Sequence, residues 1–65
     1  MNEIIEQLVN TRINGNSIQG NATYERMLKR VTRNEIVSYG AMFHIAVTAS
    51  YKLDCIEQIR NGLES

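Results

Sequence analysis

From Ala41 to Asn61 the chain contains neither proline nor glycine, and this lack of punctuation constrains the fold more than any motif does. A stretch that meets no breaker reads as one helix. Its start is marked by "TRNE", Thr32 to Glu35, a capping box in which Thr32 caps the helix and Glu35 reaches back to the cap amide. Its stop is marked by Asn61 and Gly62. The pattern therefore predicts a helix over 33–61, about 28 residues and roughly 42 Å long at about 1.5 Å per residue.

Such a helix is too long for the remaining chain to cover, and its apolar residues fall on two stripes rather than one. Ile36, Gly40, Phe43 and Val47 make the first, and Met42, Ala46, Ala49, Leu53 and Ile56 the second. Both follow the 3.5-residue repeat of helices that pack side by side. The chain's own short helices can take the first stripe. The second is expected to lie against another copy, so Met42, Ala46, Ala49, Leu53 and Ile56 are read as a dimer interface. One competing reading is that "MFHIAV" and "YKLD", with their β-branched and aromatic content, form strands, because a short apolar run does not declare its own period.

The first element is "NEIIEQLVNTRI". Asn2 is placed to cap it, glutamates sit in its first turns, and Ile4, Ile5, Leu8, Val9 and Ile13 recur at helical spacing. Asn14 and Gly15 end it, since glycine readily takes the left-handed conformation after a helix. A second short helix, 22–31, presents Tyr24, Met27, Leu28 and Val31 on one face, and Glu25 stands four residues before Lys29, the spacing of a helical ion pair. The expected fold is thus all-α, one domain over 1–65 with helices near 2–13, 22–31 and 33–61, forming a helical bundle as a homodimer. Its intrachain core is Ile4, Ile5, Leu8, Tyr24, Leu28, Val31, Ile36, Phe43 and Val47.

A chain of 65 residues buries only about 60% of the surface its unfolded form exposes and usually needs a staple. One cysteine, Cys55, excludes an intrachain disulfide, and one histidine, His44, with that cysteine cannot make the ligand set of a structural zinc site. Oligomerisation or close helix packing is left. A lone cysteine and no leading apolar segment point to a reducing, cytoplasmic setting. The apolar run is about a dozen residues, short of the ~20 that a bilayer requires, so no membrane span is expected.

Net charge is zero but unevenly spread. Residues 12–33 hold Arg12, Arg26, Lys29, Arg30 and Arg33 against Glu25 alone, while both ends are acidic. Arg26, Lys29, Arg30 and Arg33 are the strongest candidates for a site, because residues three, four and seven apart share a helix face and suit phosphates or an acidic partner. "TYERMLKRVTRNEIVSYG" has the helix, short turn, helix outline of a DNA reader, but its second helix is too apolar to read base edges. His44 and Cys55 would lie too far apart on one helix to form a dyad, and His44, Thr48, Tyr51 and Cys55 would form a semi-polar strip along it.

With no catalytic signature, phosphate loop or metal cluster, the chain is expected to be a non-catalytic protein without a cofactor. The favoured function is a small helical interaction protein, a homodimer that regulates or inhibits another protein complex. Size and composition alone suggest a phage or mobile-element accessory protein. The alternative is a dimeric nucleic-acid-binding regulator using residues 26–33.

Overall fold

The computed structural model describes residues 2–65, which form four helices and, among the described residues, no strand. They are α1 (Glu3–Ile13), α2 (Ala22–Lys29), α3 (Arg33–Met42) and α4 (Lys52–Glu64), packed into a body of 30 × 22 × 22 Å. Local chemistry sets most of the boundaries. Gly15, at φ +86°, closes α1: its amide donates to the Arg12 carbonyl and the Asn16 amide to that of Thr11, which satisfies the last turn as a Schellman motif. Asn2 precedes α1 without a side-chain cap bond. Asn21 caps α2 by accepting from the Tyr24 amide. At α3 the capping box is complete, with Thr32 Oγ1 accepting from the Glu35 amide (3.1 Å) and Glu35 Oε1 from the Thr32 amide (2.8 Å).

The long helix expected over 33–61 is broken in two. α3 stops at a second Schellman motif, in which the His44 amide donates to the Ala41 carbonyl and the Ile45 amide to that of Gly40. His44 fills the left-handed position at φ 60°, where glycine is usual and any other residue is strained by roughly 1–2 kcal/mol. The next residues form an extended strap that runs back along α3. Ile45, Val47 and Ala49 turn inward while Ala46, Thr48 and Ser50 are exposed, the two-residue alternation of extended chain.

Specific contacts on both sides hold the strap. Gly40 has no side chain where Val47 enters; a Cβ there would stand 2.6 Å from Val47 Cγ2. Gly62 does the same for Ile45, whose Cδ1 would be 2.7 Å from an added Cβ. So Gly62 does not stop the last helix, as its pairing with Asn61 suggests; it lies inside α4 and admits the strap. The Gln58 carboxamide accepts from the Thr48 amide (2.9 Å) and the Ala49 amide (3.0 Å) and donates to Thr48 Oγ1 (2.9 Å). The Ala49 carbonyl accepts from Arg33 Nε (2.7 Å) and from the Cys55 thiol (3.3 Å). These bonds replace those the helical backbone would have made.

Folding the strap back delivers α4 to α1. The core consists of Ile5, Leu8, Val9, Ile18, Val31, Ile36, Val47, Cys55, Ile56 and Ile59, with Ile4, Tyr24, Leu28, Ala49 and Leu53 half-buried against it. Burial of each large member is worth about 1.5–3 kcal/mol. Two sequence assignments change here. Ile56, read as a dimer contact, is fully buried within its own chain because α4 turns inward instead of extending outward. Phe43, read as core, is 44% exposed, because it is the C-cap of α3, just before the chain reverses at His44.

Two substitutions test this account. Gly40→Ala is expected to lower stability by about 1–3 kcal/mol, since the strap must shift to admit the methyl group; an unchanged urea midpoint would contradict it. His44→Gly is expected to raise stability by about 0.5–1 kcal/mol, the strain relieved being partly offset by the freer unfolded chain. A lower midpoint for that variant would show that His44 is not held in the left-handed region.

Candidate interaction surface

The strap also decides what remains outside. Met42 is 63% and Phe43 44% exposed at the end of α3. The Phe43 ring tilts against Tyr39, with centroids 5.2 Å apart. Tyr39 and Met42 in turn line an open groove of about 280 Å³ with Asn2, Asn34, Glu35 and Ser38. The groove therefore has apolar walls from α3 and a polar margin of amides, a hydroxyl and a carboxylate. Burial, and after it the charge of Glu6, pushes the Tyr39 phenol above its ordinary pKa, which keeps it a neutral hydrogen-bond donor.

The expected dimer stripe is dispersed. Met42 and Ala46 are exposed, Ala49 and Leu53 half-buried, and Ile56 buried. They share no face, because Met42 ends a helix, Ala46 and Ala49 point opposite ways from the strap, and Leu53 and Ile56 belong to α4. The semi-polar strip dissolves for the same reason. His44 and Thr48 are exposed on the strap and Tyr51 stands at the α4 N-cap, while Cys55 is wholly buried, its thiol donating to Ala49.

The basic set fares differently. Arg26, Lys29 and Arg30 are exposed and Arg33 is half-buried, its guanidinium on the Ala49 carbonyl. The expected Glu25–Lys29 pair does not form; the Glu25 carboxylate instead accepts from the Gly20 amide at 2.8 Å. Although α2, the turn and α3 reproduce the outline of a helix-turn-helix, α2 packs against α1 and α3 against α4. The two do not make the self-supporting pair that presents a reading helix.

Ion pairing is concentrated elsewhere. Arg12 at the end of α1 bonds Glu57 of α4, and Arg60 bonds both Glu57 and Glu64. The hydrogen bond from Arg12, aided by Arg60, holds the Glu57 carboxyl below its ordinary pKa against the opposing effect of burial. Among the described residues no three His, Cys, Asp or Glu side chains are grouped to hold a metal ion, and no helix is long and apolar enough to cross a membrane.

Comparison with protein-family models, with curated proteins and with solved structures gives no match to this chain. The functional reading therefore rests on the chemistry of these surfaces.

The depressed Glu57 pKa gives a signed pH dependence. A carboxyl whose folded pKa lies below its unfolded value contributes stability that is full above about pH 4.3 and fades as pH falls through the folded value. Glu57→Gln should thus be less stable than the parent near pH 7, with the gap narrowing as the pH is lowered below about 4.3. Equal urea midpoints at neutral pH would show that the bridge between α1 and α4 contributes nothing.

Proposed function

We propose that this is a non-catalytic helical interaction protein whose groove beside α3 receives a segment of another protein, through which it regulates that protein's assembly or activity. The observation that carries the reading is the pair of exposed large apolar side chains, Met42, which lines the groove, and Phe43, whose ring lies against the groove residue Tyr39. The fold fills its interior with ten other side chains and leaves these two outside, as it does Ile13, Tyr51 and Leu63, but only Met42 and Phe43 adjoin the groove. Exposed apolar groups beside a concave, polar-rimmed surface are the usual makeup of a binding site.

Magnitudes limit what the two residues can do alone. Met42 and Phe43 are already partly covered, at 63% and 44% exposed, so burying what remains of both is worth about 1.5–3 kcal/mol, far less than the roughly 8 kcal/mol of a micromolar complex. The groove margin must supply the rest, so the partner segment carries an apolar side chain for the Tyr39–Met42 wall and donors for Glu35. Self-association belongs to the same proposal in a changed form. A homodimer of this chain would meet through Met42 and Phe43, since Leu53 and Ile56 are already engaged in the fold.

A photo-crosslinking residue placed at Met42 provides the test, with an equivalent one at Gln19 as control. The expected result is a discrete crosslinked partner from Met42 only, lost when Phe43→Glu is added and with helix content unchanged. Identical products from both positions would refute the reading. Sedimentation of the purified chain separates the two occupants: a concentration-dependent dimer abolished by Phe43→Glu identifies a second copy, and a monomer leaves the foreign segment.

A further inference from the structure

We infer a second binding surface, for single-stranded nucleic acid, where α2 ends and α3 and α4 begin. The chain has seven lysine and arginine residues. Arg12 and Arg60 are used in ion pairs with Glu57 and Glu64. The other five, Arg26, Lys29, Arg30, Arg33 and Lys52, make no ion pair among the described residues, and the fold brings them to one corner.

Two contacts gather them. The Lys52 ammonium donates to the Leu28 carbonyl at 3.2 Å, which sets the start of α4 against the end of α2. Arg33 Nε donates to the Ala49 carbonyl at 2.7 Å, which sets the start of α3 against the strap. Arg26, Lys29 and Arg30 are exposed beside these junctions. Three carboxylates stand in the same region: Glu25, which also accepts from the Gly20 amide, Glu35, which also accepts from the Thr32 amide, and Asp54 in the first turn of α4. None of them is in an ion pair with the five cations, so positive charge is in excess there.

Stabilisation of the α2 dipole does not explain the arrangement. A cation in the last turn of a helix is worth about 0.3–1 kcal/mol, and the effect fades beyond that turn, whereas Arg33 and Lys52 reach the corner from other elements. Tyr51 makes the surface more than a charge cluster. It precedes Lys52, caps no helix amide with its side chain, and is 75% exposed, the most exposed of the large apolar side chains. Cations tracking a phosphate backbone beside an accessible aromatic face are the elements of sequence-tolerant single-strand binding, in which bases stack on the ring. An acidic peptide would use the cations and leave the ring idle. The cations lie at the opposite end of α3 from Met42 and Phe43, although the groove reaches Asn34 and Glu35 beside Arg33; the inference rests on the cations and Tyr51 and not on the protein-docking proposal.

Fluorescence anisotropy of the full chain with a labelled oligothymidine of about 20 nucleotides tests the inference. Five phosphate contacts on a single strand give a salt slope of about −3.5, so affinity should fall about 100-fold between roughly 50 and 200 mM salt. The triple variant Arg26→Gln, Lys29→Gln, Arg30→Gln should reduce the slope to about −1.4. Tyr51→Ala should weaken binding by about 5- to 100-fold with the slope unchanged. Circular dichroism verifies the fold of each variant, and Arg30→Gln alone, expected to lower the slope by about 0.7, replaces the triple if that variant unfolds. Absence of binding at the lowest salt, or wild-type binding by the charge variant, overturns the inference. So does a duplex bound as tightly as the single strand with Tyr51→Ala silent. Displacement by polyglutamate as readily as by unlabelled oligonucleotide assigns the corner to acidic protein and also overturns it.

Discussion

Nine residues between α3 and α4 that do not continue the helix determine the position of everything else. Their inward side chains fit only because two helices lack a Cβ at the points of contact, Gly40 receiving Val47 and Gly62 receiving Ile45. Two of their amides, those of Thr48 and Ala49, are satisfied by one carboxamide, that of Gln58. If the chain instead ran straight on from Met42, Ile56 and Ile59 would project some 20 Å or more past the end of α3 at about 1.5 Å per residue. Ile5, Leu8 and Val9 of α1 would then lose the surface that covers them. The strap converts a helix too long for its chain into two helices that close a core.

The readable parts of the fold were those written in local chemistry. Gly15 after Asn14 and the Thr32–Glu35 box depend on residues within a few positions of one another, and both act in the structure as their sequence suggests. The break at His44 depends on distant partners. No glycine marks it, and a histidine takes the left-handed position because Gly40, Gln58 and Gly62 reward the reversal. The alternation of Ile45, Val47 and Ala49 against Ala46, Thr48 and Ser50 was the available signal, and it favoured the extended reading of that stretch. Helical periodicity hid it, because a run rich in apolar residues fits both periods. Gly62 shows the same ambiguity: a glycine near a helix end marks either a stop or a close approach, and only the partner distinguishes them.

The candidate sites divide similarly. Arg26, Lys29, Arg30 and Arg33 stood out because they are close in sequence. Lys52 and Tyr51 did not, since they join that corner only through the strap. The dimer stripe is dispersed because its residues belong to two helices and an extended piece and share no single helical face. Its residues Met42 and Ala46 stay exposed for reasons unrelated to a heptad. What emerges is a small body with a groove running along α3 from Asn34 to Met42, exposed apolar side chains at the C-terminal end of that helix and positive charge without an ion-pair partner at its N-terminal end.

The reversal of the chain can be observed directly through the nuclear Overhauser effect between the Val47 methyl groups and the Gly40 α-protons in the labelled protein. A strong cross-peak is expected, accompanied by extended rather than helical carbon shifts from Ile45 to Ala49. In a continuous helix those residues would be separated by about 10 Å along the axis. An absent cross-peak with unbroken helical shifts from Arg33 to Asn61 would contradict the account.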